Sequence, residues 1–204
     1  MGTWTRFKTA LLESPVFYRL WQRPWANAKL EPLRRHNDLV AIRRVLDLGC
    51  GPGTNSLVFE HCDYVGVDIN PRYIEQARQR FHGEFIVADL RDLTLESSGR
   101  FDFILLNSLL HHIDDAGVRT ILSKARELLT DDGAIHILDL VLPDKASVAR
   151  SIARADRGDY PRPAAEWRRI FSEEFMEVLF EPYSLRSAGV TLWQMVYFQG
   201  KARG

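Results

Sequence analysis

Three glycines stand close together at positions 49, 51 and 53, directly after the short apolar run from Val45 to Leu48. Glycine lets a backbone turn sharply after a strand and approach a ligand without a Cβ in the way. A nicotinamide-binding turn has the spacing G-x-G-x-x-G, whereas this turn is spaced G-x-G-x-G with Pro52 inside it. Because tight turns between a strand and a helix need glycines anyway, a purely structural turn is the alternative.

Two aspartates follow the next two apolar runs. Asp68 ends the run that begins at Tyr64, and Asp89 ends the run that begins at Glu84. A carboxylate at the end of the second strand can accept hydrogen bonds from both ribose hydroxyls of a nucleoside. Asp89 could meet the adenine amino group, with Leu90 close to the ring. Either aspartate could instead cap a helix or a loop, but two acids at consecutive strand ends favour a nucleoside site.

His111 and His112 are the candidates for proton transfer, because an imidazole can accept a proton near neutral pH. They lie just past a fourth apolar run, Phe101–Leu106, and Asp139 lies near the end of a fifth. Asp139 could orient an acceptor or a base, or satisfy a loop amide. The structural alternative for the histidines is one packed ring and one exposed ring.

The elements that position these residues follow from the alternation of short apolar runs with amphipathic stretches, which predicts βαβ units and a parallel sheet. Two further strands are expected near the end of the chain. Their link, Arg186–Gly189, is too short for anything but an antiparallel hairpin. The seven predicted strands are 45–48, 64–67, 84–88, 101–106, 134–141, 178–185 and 190–199.

Helices are predicted between the strands from capping residues and apolar spacing. Asn70 followed by Pro71 opens a helix through about Phe81. Asp114 or Asp115 caps the next one, and Asp132–Gly133 turns the chain into the fifth strand. Further helices are expected over residues 146–155 and from Ser172 onward. Residues 1–42 look helical, with interruptions at three prolines.

Four of these segments together resemble the motifs of class I S-adenosylmethionine-dependent methyltransferases. Val45–Thr54 resembles the first motif of that family, and Val65–Asn70 resembles its acidic second motif. Ala88–Leu90 is similar to the third motif, and Phe101–Ser108 is similar to the fourth strand and its end. The resemblance covers about residues 44–141.

The resemblance implies an α/β fold, a Rossmann-like seven-stranded sheet of order 3-2-1-4-5-7-6 with its last strand antiparallel and helices on both faces. Residues 44–204 would form the cofactor-binding domain, and residues 1–43 an N-terminal helical segment on the acceptor side. The cofactor would be S-adenosyl-L-methionine and the product S-adenosyl-L-homocysteine. The implied binding residues are Asp47, Gly49, Gly51, Gly53, Asp68, Ile69, Asp89, Leu90 and Asn107, the last beside the sulfonium.

The acceptor is expected to be a small or lipid-like molecule methylated on O, N or C. Asn107-Ser108-Leu109-Leu110 departs from the Asn/Asp-Pro-Pro-Tyr stretch associated with methylation of nucleobase or glutamine amide nitrogens. Arg157, Asp159 and Tyr160 lie in a segment flanked by proline and glycine that could fold over an acceptor. The alternatives are a nucleoside-binding protein without methyl transfer and a nicotinamide-dependent oxidoreductase. Glycine spacing and the terminal hairpin disfavour the oxidoreductase.

Composition and charge argue against several other classes of protein. The 204 residues carry no net charge, which disfavours a long nucleic-acid footprint. Two cysteines support neither a disulfide framework nor a structural zinc site, no metal is expected, and no run of apolar residues is long enough to span a bilayer. No secretory signal is recognised, so a cytoplasmic location is expected.

The first 46 residues are unlike the rest, with nine basic and three acidic residues and a net charge of +6. Such a basic, aromatic segment can wall an apolar acceptor pocket or make weak contact with a membrane surface. Packing of its aromatic side chains against the core, with its arginines solvated, is the alternative. The oligomeric state is left open. The aromatic residues concerned are Trp4, Phe7, Phe17, Tyr18, Trp21 and Trp25.

Overall fold

A computed structural model of the chain describes residues 27–95, 99–155 and 158–203. Within these ranges seven strands form one sheet of order β3-β2-β1-β4-β5-β7-β6. The pairs among β1 to β5 are parallel, and β7 runs antiparallel to both β5 and β6. The predicted fold class is therefore confirmed. The strands are β1 (Arg44–Leu48), β2 (Asp63–Asp68), β3 (Glu84–Val87), β4 (Phe101–Asn107), β5 (Leu129–Val141), β6 (Phe175–Ser187) and β7 (Val190–Ala202).

Five α-helices of the described ranges cover the two faces of the sheet. Asn70 accepts a hydrogen bond from the Arg72 backbone N–H and so caps α2, and Asp114 caps α3 through the Gly117 N–H. Both caps were predicted, the second as one of two candidates. The helices are α1 (Glu31–His36), α2 (Pro71–Arg80), α3 (Asp115–Leu128), α4 (Val148–Ala155) and α5 (Ala164–Glu174).

The core lies in two main layers because successive side chains of a strand point to opposite faces of the sheet. Leu46 packs on one face, in a cluster that includes Ile121 of α3 and Trp167 of α5. Val45 packs on the other face, in a cluster that includes Ile74 of α2. Strands covered on both faces are apolar along their length, which is why β1 and β4 stood out as continuous apolar runs.

Two predicted boundaries are wrong. Ser172 does not start a helix, because it lies near the end of α5, which begins at Ala164 and buries Trp167 and Phe171 at helical spacing. The turn expected at Asp132–Gly133 lies inside β5, since the strand begins at Leu129 and pairs there with β4 through a shift in register. Tertiary pairing overrode the local turn preference at this place.

The terminal hairpin is longer than predicted but turns where it was expected. Ala188 and Gly189 join β6 to β7, and both adopt positive φ angles, 47° and 80°. This pair of angles matches the two-residue turn whose twist suits antiparallel strands.

The described part of the N-terminal segment is docked on this hairpin. Asn37 donates a hydrogen bond to the hydroxyl of Tyr197 over 2.8 Å, and Arg35 and His36 both contact the carboxylate of Glu181. The aromatic residues singled out in this segment lie outside the described residues. Among the helices that the structure describes, none combines the length and the apolar character needed to span a membrane.

Candidate functional site

The glycine turn leaves β1 at its carboxyl end, in the middle of the sheet. Gly49, Gly51 and Gly53 all adopt positive φ angles, between 54° and 81°, that disfavour residues with a Cβ. Neighbouring side chains leave no room for a Cβ at two of these glycines. A Cβ on Gly49 would lie 2.8 Å from the Leu109 side chain, and one on Gly53 would lie 2.8 Å from Ala77 of α2. The turn is therefore shaped by its packing as well as by its backbone angles.

Asp47 is a buried carboxylate at the base of this turn. Its Oδ2 accepts hydrogen bonds from the Tyr64 hydroxyl over 2.5 Å and from the Asn55 amide over 3.0 Å. Its Oδ1 finds no hydrogen-bond partner among the described residues. Burial raises the pKa of Asp47 from 3.8 to about 6, although the two hydrogen bonds act in the opposite direction.

Asp68 connects the end of β2 to the glycine turn. One carboxylate oxygen accepts the Gly51 N–H over 2.9 Å, and the other accepts the Asn70 N–H over 2.8 Å. Burial raises the pKa of Asp68, opposed by these two backbone hydrogen bonds. The next residue, Ile69, is 64% exposed. An ionised carboxylate has about four lone-pair sites, so Asp68 can still accept hydrogen bonds from a ligand.

Asp89 lies just beyond the end of β3, next to Asp68. The strand ends are joined where the Ala88 N–H donates to the Asp68 carbonyl oxygen. The guanidinium of Arg91 binds both oxygens of Asp89, and this ion pair lowers the Asp89 pKa to about 2. Leu90 is buried. An adenine ring bound here would have to share the Asp89 carboxylate with Arg91.

A series of hydrogen-bonded polar side chains connects the glycine turn to the end of β4. The Asn107 amide donates to the Asn55 side-chain oxygen over 3.3 Å, and the Ser108 hydroxyl donates to the Asn107 side-chain oxygen over 3.2 Å. Lys29, from the N-terminal segment, donates to the Ser108 hydroxyl over 3.1 Å. Ser108 has a φ of 57°, which is uncommon for a residue other than glycine. These hydrogen bonds link Asn107 to Asp47 through Asn55.

His111, His112 and Asp139 meet at the ends of β4 and β5. His111 Nδ1 and Asp139 Oδ1 lie 2.5 Å apart, and both side chains are buried. Burial raises the pKa of Asp139, but the His111 charge and three hydrogen bonds outweigh burial and lower it overall. His112 is exposed, and its ring centroid lies 4.1 Å from that of His111. The structure thus pairs His111 with Asp139 and leaves His112 at the surface.

The predicted site residues therefore gather along one edge of the sheet, although several of their partners were not predicted. Asn55, Tyr64 and Lys29 were missed because their side chains reach the site from other elements. Tyr64, at the start of an apolar run, carried no signal of its contact with Asp47. Within the described residues no three His, Cys, Asp or Glu side chains are grouped as metal ligands.

Comparisons with known proteins find a methyltransferase domain in this chain. A family model described as a methyltransferase domain matches residues 45–133. An uncharacterized methyltransferase of Mycobacterium tuberculosis is 32% identical over 127 residues, which cover 59% of this chain and 63% of that protein. The chain thus spans somewhat less than two thirds of that relative.

Two longer matches extend beyond residues 45–133. A ubiquinone biosynthesis O-methyltransferase of Xanthomonas oryzae is 27% identical over 212 residues, covering 86% of this chain and 87% of that protein. The crystal structure of human N-acetylserotonin methyltransferase in complex with S-adenosylmethionine superposes with a TM-score of 0.70 at 18% identity. That superposition covers 96% of this chain and 59% of the human one, and it shows that the fold is shared.

Proposed function

We propose that the chain is a class I S-adenosylmethionine-dependent methyltransferase and that it methylates a hydroxyl oxygen of a small phenolic, quinone-related or lipid-like acceptor. The observation that carries the proposal is the arrangement of Asp47, Asp68 and the glycine turn at neighbouring strand ends. Open α/β sheets bind their ligands at such ends.

The residues present fit the cofactor. Asp47 Oδ1 is buried and has no partner in the part of the chain that the structure describes. Such an oxygen costs about 1–3 kcal/mol unless a ligand satisfies it. The ammonium of a methionine moiety has the donors to do so. Asp68 retains lone pairs for ribose hydroxyls, and the exposed face of Ile69 offers apolar cover for an adenine ring. Asp89, Leu90 and the glycine turn complete the proposed adenosine and methionine contacts.

When bound, the cofactor supplies an activated methyl group on a sulfonium. The protein's part is to hold the acceptor oxygen in line at about 3 Å and to keep water away. We assign Asn107 to the side of the sulfonium, since it follows β4 and is held by Asn55. Its amide is thereby fixed near the point where transfer would occur.

His112 is assigned as the general base for the acceptor hydroxyl. It is exposed at the strand edge, whereas the ring of His111 is buried and bound to Asp139. His111 and Asp139 then act as positioning residues that fix the turn carrying His112. A base of this kind contributes about 10²–10⁴-fold when the acceptor must lose a proton.

An oxygen acceptor is supported by this base and by the relative that is named as a ubiquinone biosynthesis O-methyltransferase. The positive charge of the first 46 residues supports weak contact with an anionic membrane surface, where a lipid-like phenol would be found. A cytoplasmic protein that contacts the inner membrane surface would have both an anionic surface for its basic segment and access to a lipid-like phenol.

An acceptor panel tests the proposal. The protein is incubated with S-adenosylmethionine and protocatechuate, a prenylated catechol, oleate or phenethylamine, and S-adenosylhomocysteine and methylated products are measured by mass spectrometry. The expected result is methyl ether formation on a phenol, with no product from benzoate, which has the ring and carboxylate of protocatechuate without its hydroxyls. Methylation of the amine alone, methyl ester formation on oleate alone, or no product with any acceptor, would contradict the proposal.

A further inference from the structure

Arg162 is a buried arginine outside the motifs described above. Its side chain is 4% exposed, and burying a guanidinium is costly unless its N–H groups are paired. Nε and Nη2 bind the Asp115 carboxylate over 2.8 and 2.6 Å. Nη2 also donates to the Ile113 carbonyl, and Nη1 donates to those of Leu110 and Tyr160. These five hydrogen bonds match the five N–H donors of the side chain.

The two histidines lie in the turn of residues 110–113, here called the histidine turn. The carbonyl groups of Leu110 and Ile113 lie at its two ends. Asp139 holds the same turn from β5, because it accepts the Leu110 N–H over 2.7 Å and pairs with His111. Leu110 is therefore fixed through its N–H by Asp139 and through its carbonyl by Arg162. His112 lies between the carbonyl groups that Arg162 holds.

The segment from Gly158 to Pro163, here called the strap, packs directly on this turn. The Tyr160 N–H donates to the His111 carbonyl over 3.0 Å, and a Cβ on Gly158 would lie 2.3 Å from the His111 ring. At its other end the Leu142 N–H donates to the Arg162 carbonyl, which ties the strap to the chain just after β5. The strap, the histidine turn and the end of β5 thus form one connected unit.

Stability alone does not account for a charged group in this place. Buried ion pairs can often be replaced by apolar side chains without loss of stability. A guanidinium does something else, because its donors are fixed in a planar fork that sets the relative positions of its acceptors. The guanidinium of Arg162 also lies 4.6 Å from the ring centroid of Trp167 on α5, so the fork itself is held in place.

We propose that Arg162 is a positioning residue for methyl transfer, which holds the histidine turn against the strap so that His112 is set at the acceptor side. The proposal rests on the function proposed above. In this proposal the strap, on which Tyr160 is exposed, forms the side of the acceptor site that faces His112. Misplacing a base by about 1 Å can slow turnover by about 100-fold without changing the site of the cofactor.

The test compares Arg162→Lys and Arg162→Met with Arg119→Lys. Arg119 also contacts Asp115 and lies on α3, but the hydrogen bonds found for it go to Glu173 and to the Asp115 carbonyl. Protocatechuate, or whichever panel acceptor the wild type methylates fastest, serves as the probe. We measure kcat and KM for it, the Kd for S-adenosylhomocysteine, the melting temperature, and the ¹³C-labelled His112 ring signal.

The expected result is a fall in kcat of about 10- to 100-fold in both Arg162 variants, with the Kd within about twofold of the wild type. Lysine keeps the charge but not the fork, so it should not restore kcat, and the His112 signal should shift or broaden. Arg119→Lys should keep its kcat.

Three results would overturn the inference: an unchanged kcat in folded Arg162→Lys, a loss of cofactor affinity equal to the loss of kcat, or an unmoved His112 signal. If the wild type itself forms no methylated product, the proposed function fails first, which is seen before any variant is compared.

Discussion

Asp139 and His111 join the ends of β4 and β5, since Asp139 Oδ1 lies 2.5 Å from His111 Nδ1. The same oxygen accepts the Leu140 N–H, and the other accepts the Leu110 N–H, each over 2.7 Å. The carboxylate is therefore surrounded by donors. Neither oxygen can be replaced by an N–H₂ group without placing two donors against each other.

Asp139→Asn should accordingly destabilise the protein even though the side chain keeps its shape. We expect the free energy of unfolding to fall by about 1–3 kcal/mol, the cost of an unsatisfied buried donor, as measured by urea denaturation. Asp114→Asn is the matched control, because Asn caps a helix as well as Asp does. Equal losses in the two variants would contradict the assignment.

His112→Ala should slow turnover without destabilising the fold, because the side chain is exposed. We expect kcat for a phenolic acceptor to fall by about 10²–10⁴-fold, the contribution of a general base. His111→Ala should instead lower the melting temperature, since it leaves the buried Asp139 without its side-chain partner. A His112→Ala protein with full kcat would show that another group, or none, takes the proton.

The affinity for S-adenosylhomocysteine should fall as the pH drops below about 6, where Asp47 takes up a proton. A neutral carboxyl group no longer attracts an ammonium, so the Kd measured by calorimetry should rise several-fold between about pH 7.5 and about pH 5. Asp47→Asn should flatten this dependence. Some slope should remain, because burial also raises the pKa of Asp68. An equally steep dependence in Asp47→Asn would exclude Asp47 as its source.

His136 should make stability depend on pH from inside the sheet. Burial lowers its pKa from 6.5 to about 3, so between these values the unfolded chain binds a proton that the folded protein does not. The free energy of unfolding therefore falls as the pH falls, by about 2 kcal/mol from this group between about pH 7 and about pH 5. His136→Phe, measured by urea denaturation at both values, should lose that part of the slope. The exposed His82 is the control, and the same slope in His136→Phe and His82→Ala would refute the assignment.

Much of the fold could be predicted because its strongest signals are local. Continuous apolar runs located β1 to β4, and capping residues such as Asn70 located helix starts. The helix expected from Ser172 was placed wrongly, because its polar residues look like a helix start, whereas the apolar spacing of α5 begins eight positions earlier. Local patterns do not reveal which of two such signals the tertiary packing uses.

The site was predictable at the strand ends and less so away from them. The position of Asp68 follows from the alternation of strand and turn, which places acids at a shared edge. Asn55 and Arg162 act through contacts with residues 52 positions away in sequence. No spacing rule covers such contacts, so only the folded structure brings them into view.

The central claim is that neighbouring strand ends hold an adenosine bound to a charged sulfur, and calorimetric titration tests it most directly. Wild type, Asp68→Ala and Asp63→Ala are titrated with S-adenosylhomocysteine and with NAD. Asp63 is the control, because it lies at the opposite end of the same strand. We predict binding of S-adenosylhomocysteine but not NAD, weakened by roughly 1.5–3 kcal/mol in Asp68→Ala alone. Equal affinity in Asp68→Ala and wild type, or preference for NAD, would contradict the account.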